Sequence, residues 1–154
     1  MEIGLNNHKN LCKDARQKQI VSRDDKEKSV GKKCEHRAIN NRNCLVRHYQ
    51  VNGDILTDGK KCDFLVLNDD DKFAYLIELK RKKFLEGMEQ VKTSHQKIKS
   101  ALPDYQFLFR IVHAGTNIHA VRSQEVVRWR ESHGRTPEGK TIADLKKTPY
   151  IENI

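Results

Sequence analysis

The 154-residue chain has no apolar run that approaches the roughly 20 residues needed to span a bilayer. No membrane span and no membrane partner are therefore expected. The N-terminus, Met1 to His8, lacks an apolar segment of the signal-peptide kind, which points to the cytoplasm. The four cysteines, Cys12, Cys34, Cys44 and Cys62, stand far apart with no C-x-x-C pair. Structural zinc sites draw their ligands from close pairs. Cys34 and His36 could ligate together, but no second pair stands at standard spacing. Reduced thiols are the expectation, with Cys44 and Cys62 packed in strands. The seven histidines form no His-x-x-His, and there is no glycine-rich phosphate loop and no G-x-S-x-G elbow. A nucleophilic triad whose members meet only in space would leave no such mark. No internal repeat or low-complexity segment occurs.

What the chain does have is charge. Lysine and arginine number 30 against 21 acidic residues, a net charge of +9 and a pI near 9.4. At 36% hydrophobic, it can bury one modest core, enough for one domain. A basic balance of this size favours a polyanionic partner, with nucleic acid first and an acidic membrane surface second. A basic but merely soluble surface is the plain alternative.

Along the chain, residues 1–33 are polar and lysine-rich, and read as a basic N-terminal extension, helical or flexible. Asn40 to Asn43 is a turn cluster. Cys44 to Val51 reads as a strand, followed at Asn52-Gly53 by a hairpin signal, a short return at Ile55-Leu56, and a second turn at Asp58-Gly59. Lys61 to Leu67 and Phe73 to Lys80 read as two more strands, joined by the acidic turn Asn68 to Lys72. The three strands form an antiparallel meander. The turn's aspartates lack the Gly and terminal Glu of a calcium hand. They read as a solvated hairpin tip. Phe84, Met88, Val91, His95, Ile98 and Leu102 recur at spacings of four and three, predicting an amphipathic helix over 83–102 that Pro103 ends. His95 reads as a packed histidine on that stripe. Tyr105 to His113 is an apolar strand, and the helix before it requires a crossover, so it should run parallel to a neighbour. Ile118 to Val121 reads as a short strand, Ser123 as the cap of a helix through Arg130, and Thr141 to Lys147 as a last short helix.

The strand Phe73 to Lys80 organises the rest. Alternation puts Ala74, Leu76, Glu78 and Lys80 on one face, and Phe73, Tyr75, Ile77 and Leu79 on the other. Both faces are apolar until the strand's end, the pattern of a central strand covered on both sides. Two ionisable groups at the end of such a strand are costly unless paired, by a divalent cation or by a salt bridge.

Asp63, Glu78 and Lys80 fall as Asp-x14-Glu-x-Lys across a strand hairpin. This resembles the active-site motif of the PD-(D/E)xK nuclease superfamily, the restriction-endonuclease-like fold, over roughly residues 44–112. Cys62 stands where the named motif has proline. The resemblance implies an α/β fold with a three-stranded antiparallel meander, a crossover helix, a fourth strand and flanking helices. It divides the chain into the extension 1–33, a nuclease-like domain 34–131, and a C-terminal tail 132–154 packed on that domain. It also implies a metal-dependent nuclease acting on phosphodiester bonds, DNA favoured over RNA, with Mg²⁺ as cofactor and Mn²⁺ able to substitute. Asp63 and Glu78 would hold the metal with the carbonyl of Leu79, and Lys80 would place or activate the attacking water. Gln90, off the helix's apolar stripe, would lie near the metal. A further glutamate from a helix before the first core strand would be Glu35, with Glu27 as second choice. A solvated surface glutamate reads equally well there. Arg81, Lys82 and Lys83 would meet phosphate, or serve only as a charged helix entry. The two carboxylates are expected about 4–6 Å apart, both facing a groove open to solvent. Two other readings remain: a restriction-like module that binds nucleic acid without cutting it, and a small basic adaptor whose Glu78–Lys80 pair is structural. A homodimer is left open.

Overall fold

The computed structural model describes residues 4–23, 34–80, 85–114 and 123–154. Among these the chain is mixed α/β, with two mixed sheets and two α-helices. The strands, in chain order, are β1 Gln19–Arg23, β2 Glu35–Ile39, β3 Val46–Gln50, β4 Phe64–Asn68, β5 Phe73–Lys80, β6 Gln106–His113, β7 Ala143–Lys147 and β8 Tyr150–Asn153. The helices are α1 Leu85–Ile98 and α2 Gln124–His133. One sheet has the order β3-β4-β5-β6-β7, the other β1-β2-β8.

The larger sheet forms around β5, which is buried along almost its whole length. β3, β4 and β5 are successive antiparallel neighbours. The chain then passes through α1 and returns as β6, parallel to β5. A parallel return cannot be made by a tight turn, so the helix is the crossover. α1 ends at Ile98, and a 3₁₀ turn, Lys99–Ala101, carries the chain to Pro103. Alternation along β5 assigns its two faces. Ala74 and Leu76 join the cluster under α1, with Val91, Ile98 and Ile111. Phe73, Tyr75, Ile77 and Leu79 meet Ile20, Ala38 and Tyr150 of the smaller sheet. Ser123 caps α2, its hydroxyl accepting from the amide of Val126.

Three local expectations need correction. Residues 141–147, predicted as a helix, hold β7, which lies parallel to β6. Ala143 and Leu145 are buried there, and the open edge of β6 supplies hydrogen bonds that outweigh a weak local helical preference. Part of the extension expected to be helical or flexible is β1, and Glu35, expected on a helix, begins β2. β1 and β8 flank β2, so segments from both ends of the chain close one sheet. The acidic turn is exposed at Asp70 and Lys72 as expected, but it is not merely solvated, because its aspartates have fixed partners. Asp69 accepts from Arg47 Nε at 2.7 Å and from the Tyr105 hydroxyl, Asp70 accepts from the Leu45 amide at 3.0 Å, and Asp71 pairs with Arg42. Ile55-Leu56 forms no strand of its own; only an isolated bridge joins Asn52 to Leu56. All four cysteines are free thiols, and Cys34, Cys44 and Cys62 are buried. Cys44 and Cys62 lie two residues before β3 and β4 rather than within them. Glu27, Phe84 and the strand expected at 118–121 lie outside the described residues. No helix among the described residues is long and apolar enough to cross a membrane.

An ion cluster fastens the two sheets. Arg110 on β6 is 2% exposed, and its Nε donates to Glu152 on β8 at 2.8 Å. His36 on β2 meets the same carboxylate oxygen through Nε2 at 2.7 Å. Burial alone would raise the Glu152 pKa, but the His36 hydrogen bond and the Arg110 charge outweigh it and hold the carboxyl near 2. A depressed carboxyl pKa stabilises the fold above its ordinary value of 4.5, and that stabilisation is lost as pH falls toward the folded value. Glu152→Gln leaves Arg110 buried without its counter-charge. It should cost about 3 kcal/mol or more in a urea denaturation at pH 7. The penalty relative to wild type should shrink as pH falls from about 4.5 toward 2, because the unfolded chain takes up a proton there that the folded carboxylate does not.

Candidate metal and nuclease site

The register of β4 on β5 builds the site. The paired register begins with Phe64 opposite Ile77, and Asp63 stands just before it, beside the strand end that carries Glu78 and Leu79. The backbone of Asp63 is held from both sides: its N–H donates to Ile77 O at 3.0 Å, and its carbonyl accepts from Val51 N at 2.9 Å. Its carboxylate then replaces the next rung of the ladder, Oδ2 accepting from the amide of Leu79 at 2.8 Å. Leu79 thus meets Asp63 through its N–H.

Glu78 does not face an open groove as expected. It is 2% exposed, while Asp63 is partly exposed. α1 covers it: a Cβ on Gly87 would stand 3.3 Å from Glu78 Cγ and 3.2 Å from Ile111 Cδ1. Only a residue without a side chain lets the helix come this close. Burial, then the hydrogen bond to Asp63 and its charge, push the Glu78 carboxyl up to about 10, and Lys80 only partly offsets this. Glu78 therefore carries a proton at neutral pH and shares it with Asp63. Two carboxyl groups this close do not both ionise without added positive charge.

Gln90 reaches the segment that leads into Asp63. Its Nε2 donates to Lys61 O at 3.4 Å, two residues before Asp63. Ser94, one turn on, is fully buried and accepts from the amide of Cys62 at 2.7 Å. Gly87 and Ser94 were not anticipated as site residues. Their signal was present: Gly87, Val91, Ser94 and Ile98 are the buried residues of α1, at spacings of four, three and four, and two of the four are not hydrophobic.

The donor set suits a hard divalent cation. Glu78 Oε2 and Gln90 Oε1 are buried oxygens with no hydrogen-bond partner. Unpaired buried oxygens are uncommon and call for an explanation such as an ion. Carboxylate and amide oxygens are the kind of donor that Mg²⁺ prefers. Glu35 does not add to this set. Its carboxylate on β2 is engaged by Arg23 and by Arg37 Nε, which hold its pKa down against burial. Among the described residues no group of three or more His, Cys, Asp or Glu side chains converges on one point. Arg81, Lys82 and Lys83 lie outside the described residues. Comparisons with models of known families, with curated proteins and with solved structures give no match.

The raised Glu78 pKa has a definite sign. The folded state holds a proton that the unfolded chain releases above 4.5, so stability falls as pH rises from there toward 10. The slope for one whole proton is about 1.4 kcal/mol per pH unit. In EDTA, thermal melts of wild type should drop between pH 6 and 9 (roughly the middle of that window). Glu78→Gln should flatten the drop and melt higher at the alkaline end. A wild type whose melting temperature holds level with pH would contradict the shared proton.

Proposed function

We propose that this chain is a divalent-metal-dependent nuclease of the PD-(D/E)xK kind, with a restriction-endonuclease-like core, cutting phosphodiester bonds in DNA. The observation that carries the reading is the meeting of Asp63 with the end of β5, its carboxylate on the Leu79 amide and beside Glu78, together with the unpartnered buried oxygens of Glu78 and Gln90. The order meander, crossover helix, parallel strand agrees with it. The net charge of +9 suits a polyphosphate substrate.

Asp63, Glu78 and Gln90, with the Leu79 carbonyl, would hold Mg²⁺, or Mn²⁺ in its place. The bound ion would supply Lewis-acid charge and a more acidic water. Asp63 is kept in place by the Leu79 amide, so its free oxygen has a fixed direction. Glu78 gives up its proton when positive charge arrives. Lys80, on the same face of β5 and partly exposed, would stabilise negative charge on the water or the phosphate. Arg81, Lys82 and Lys83 would follow as phosphate contacts that position without reading sequence.

The burial of Glu78 favours a second reading, a nucleic-acid-binding module in which the carboxyl pair keeps its proton and no metal enters. Cleavage of plasmid and single-stranded DNA in Mg²⁺ and Mn²⁺ separates the two. Lys80→Ala should lower cleavage at least a hundredfold, on the order of general acid–base contributions, with the melting temperature kept. Asp63→Asn should abolish metal-dependent cleavage while holding or strengthening DNA binding, because it removes negative charge from a phosphate groove. A wild type that never cuts in either metal would leave the binding module standing.

A further inference from the structure

The loop that delivers Asp63 is zipped to α1 by a polar stripe. Gln90, Ser94 and Lys97 fall at spacings of four and three, on one side of the helix. Gln90 Nε2 donates to Lys61 O at 3.4 Å, Ser94 Oγ accepts from Cys62 N at 2.7 Å, and Lys97 Nζ donates to Asp58 O at 3.1 Å. Lys61 Nζ in turn donates to Gly59 O at 3.0 Å. Gly59 has φ +72, and a Cβ there would stand 3.2 Å from Lys97 Nζ. Two ammonium groups are therefore fixed on consecutive carbonyls of one tight turn, with exposed Lys60 between them. Asp58 is the only acidic residue of the turn 58–61. Lysines on a surface are ordinarily free to wander. Here two are tethered, and the tether runs back to the strand that carries Asp63.

Seven residues of helix separate Gln90 from Lys97, about 10 Å along the axis. That is roughly three nucleotides of one strand, at about 3.4 Å each. We infer that Lys60, Lys61 and Lys97 form a phosphate-contact rim for a DNA strand, holding its backbone about three nucleotides from the bond presented to Asp63 and Glu78. The inference rests on the nuclease reading for its partner, while the rim is distinct from Arg81, Lys82 and Lys83. It uses charge and fixed position, without base contacts, so it contributes affinity and register and no sequence preference.

The test is duplex-DNA binding by fluorescence anisotropy in EDTA, with salt varied from about 50 to 200 mM. Wild type is compared with Lys60→Gln, Lys97→Gln and the double variant. Glutamine at 97 keeps an N–H donor while removing the charge. Each lost phosphate contact should lower the slope of log K against log salt by about 0.9. The single Lys60→Gln change should therefore lower it by about one and the double variant by about two. Mn²⁺ titration calorimetry on the same proteins should show unchanged metal binding. If Lys97→Gln disturbs folding, Lys60→Gln decides alone, because its exposed side chain is not one of the turn's tethers. Slopes equal to wild type overturn the rim, and so does a wild type that binds no DNA. A slope that changes only on single-stranded RNA of equal length overturns the assignment to DNA. A lysine-dependent slope in a protein that binds no Mn²⁺ upholds the rim and brings down the nuclease reading, so the two failures are distinguishable.

Discussion

Burial of β5 on both faces is the constraint from which the rest follows. A strand with apolar side chains alternating to both sides needs two covers. α1 supplies one and the β1-β2-β8 sheet the other. The covers must be brought together from distant parts of the chain, which is why residues near both termini meet in one sheet. The cost of burying backbone amides and carbonyls is met by pairing β5 along both edges, antiparallel to β4 and parallel to β6. Only at the strand's end does this cover include ionisable groups.

At that end the same constraint becomes electrostatic. Glu78 is inside because β5 continues under α1, and Gly87 allows the helix to stay close. A lone buried carboxylate would be very costly, so the group stays neutral, or finds a proton partner or a cation. Asp63 is that partner because the chain entering β4 brings it beside the end of β5, where the Leu79 amide holds its carboxylate. The tension is resolved by a shared proton, and the unpaired Glu78 and Gln90 oxygens mark where positive charge would be welcome. The Arg110–Glu152–His36 cluster answers the same problem differently. There the Arg110 counter-charge is built in, the carboxyl is held ionised, and the group serves to join the sheets. Two carboxyls with opposite pKa displacements thus have different work: one fastens, the other is left able to change its state.

Much of this was legible along the chain because it depends on local pattern. The apolar alternation of Phe73 to Leu79 specified a central strand, and the four-and-three spacing from Met88 to Ile98 specified the helix. The order strand, strand, strand, helix, strand then requires a meander and a crossover, by connection geometry alone. Asp63, Glu78, Lys80 and Gln90 were singled out by resemblance to a nuclease motif, with Glu78 and Lys80 also marked as ionisable groups that end an apolar strand. What was misjudged depends on neighbours far away in sequence. Thr141 to Lys147 has no strong pattern of its own, and the free edge of β6 made it a strand. Glu35 looked like a spare carboxylate until β1 brought Arg23 beside it. The acidic turn looked solvated until Arg47 and Tyr105 met Asp69.

The sequence by itself determined the central strand and its helix crossover, since periodicity and connection rules act over a few residues, and a motif resemblance singled out the candidate carboxylates. Tertiary structure alone decided that Glu78 is sealed and proton-sharing, that Ser94 and Gly87 set the distance between α1 and the site, and that the chain's two ends form one sheet. Each of these depends on which surfaces come into contact, and burial, pKa and strand pairing are properties of the contact rather than of any residue in it.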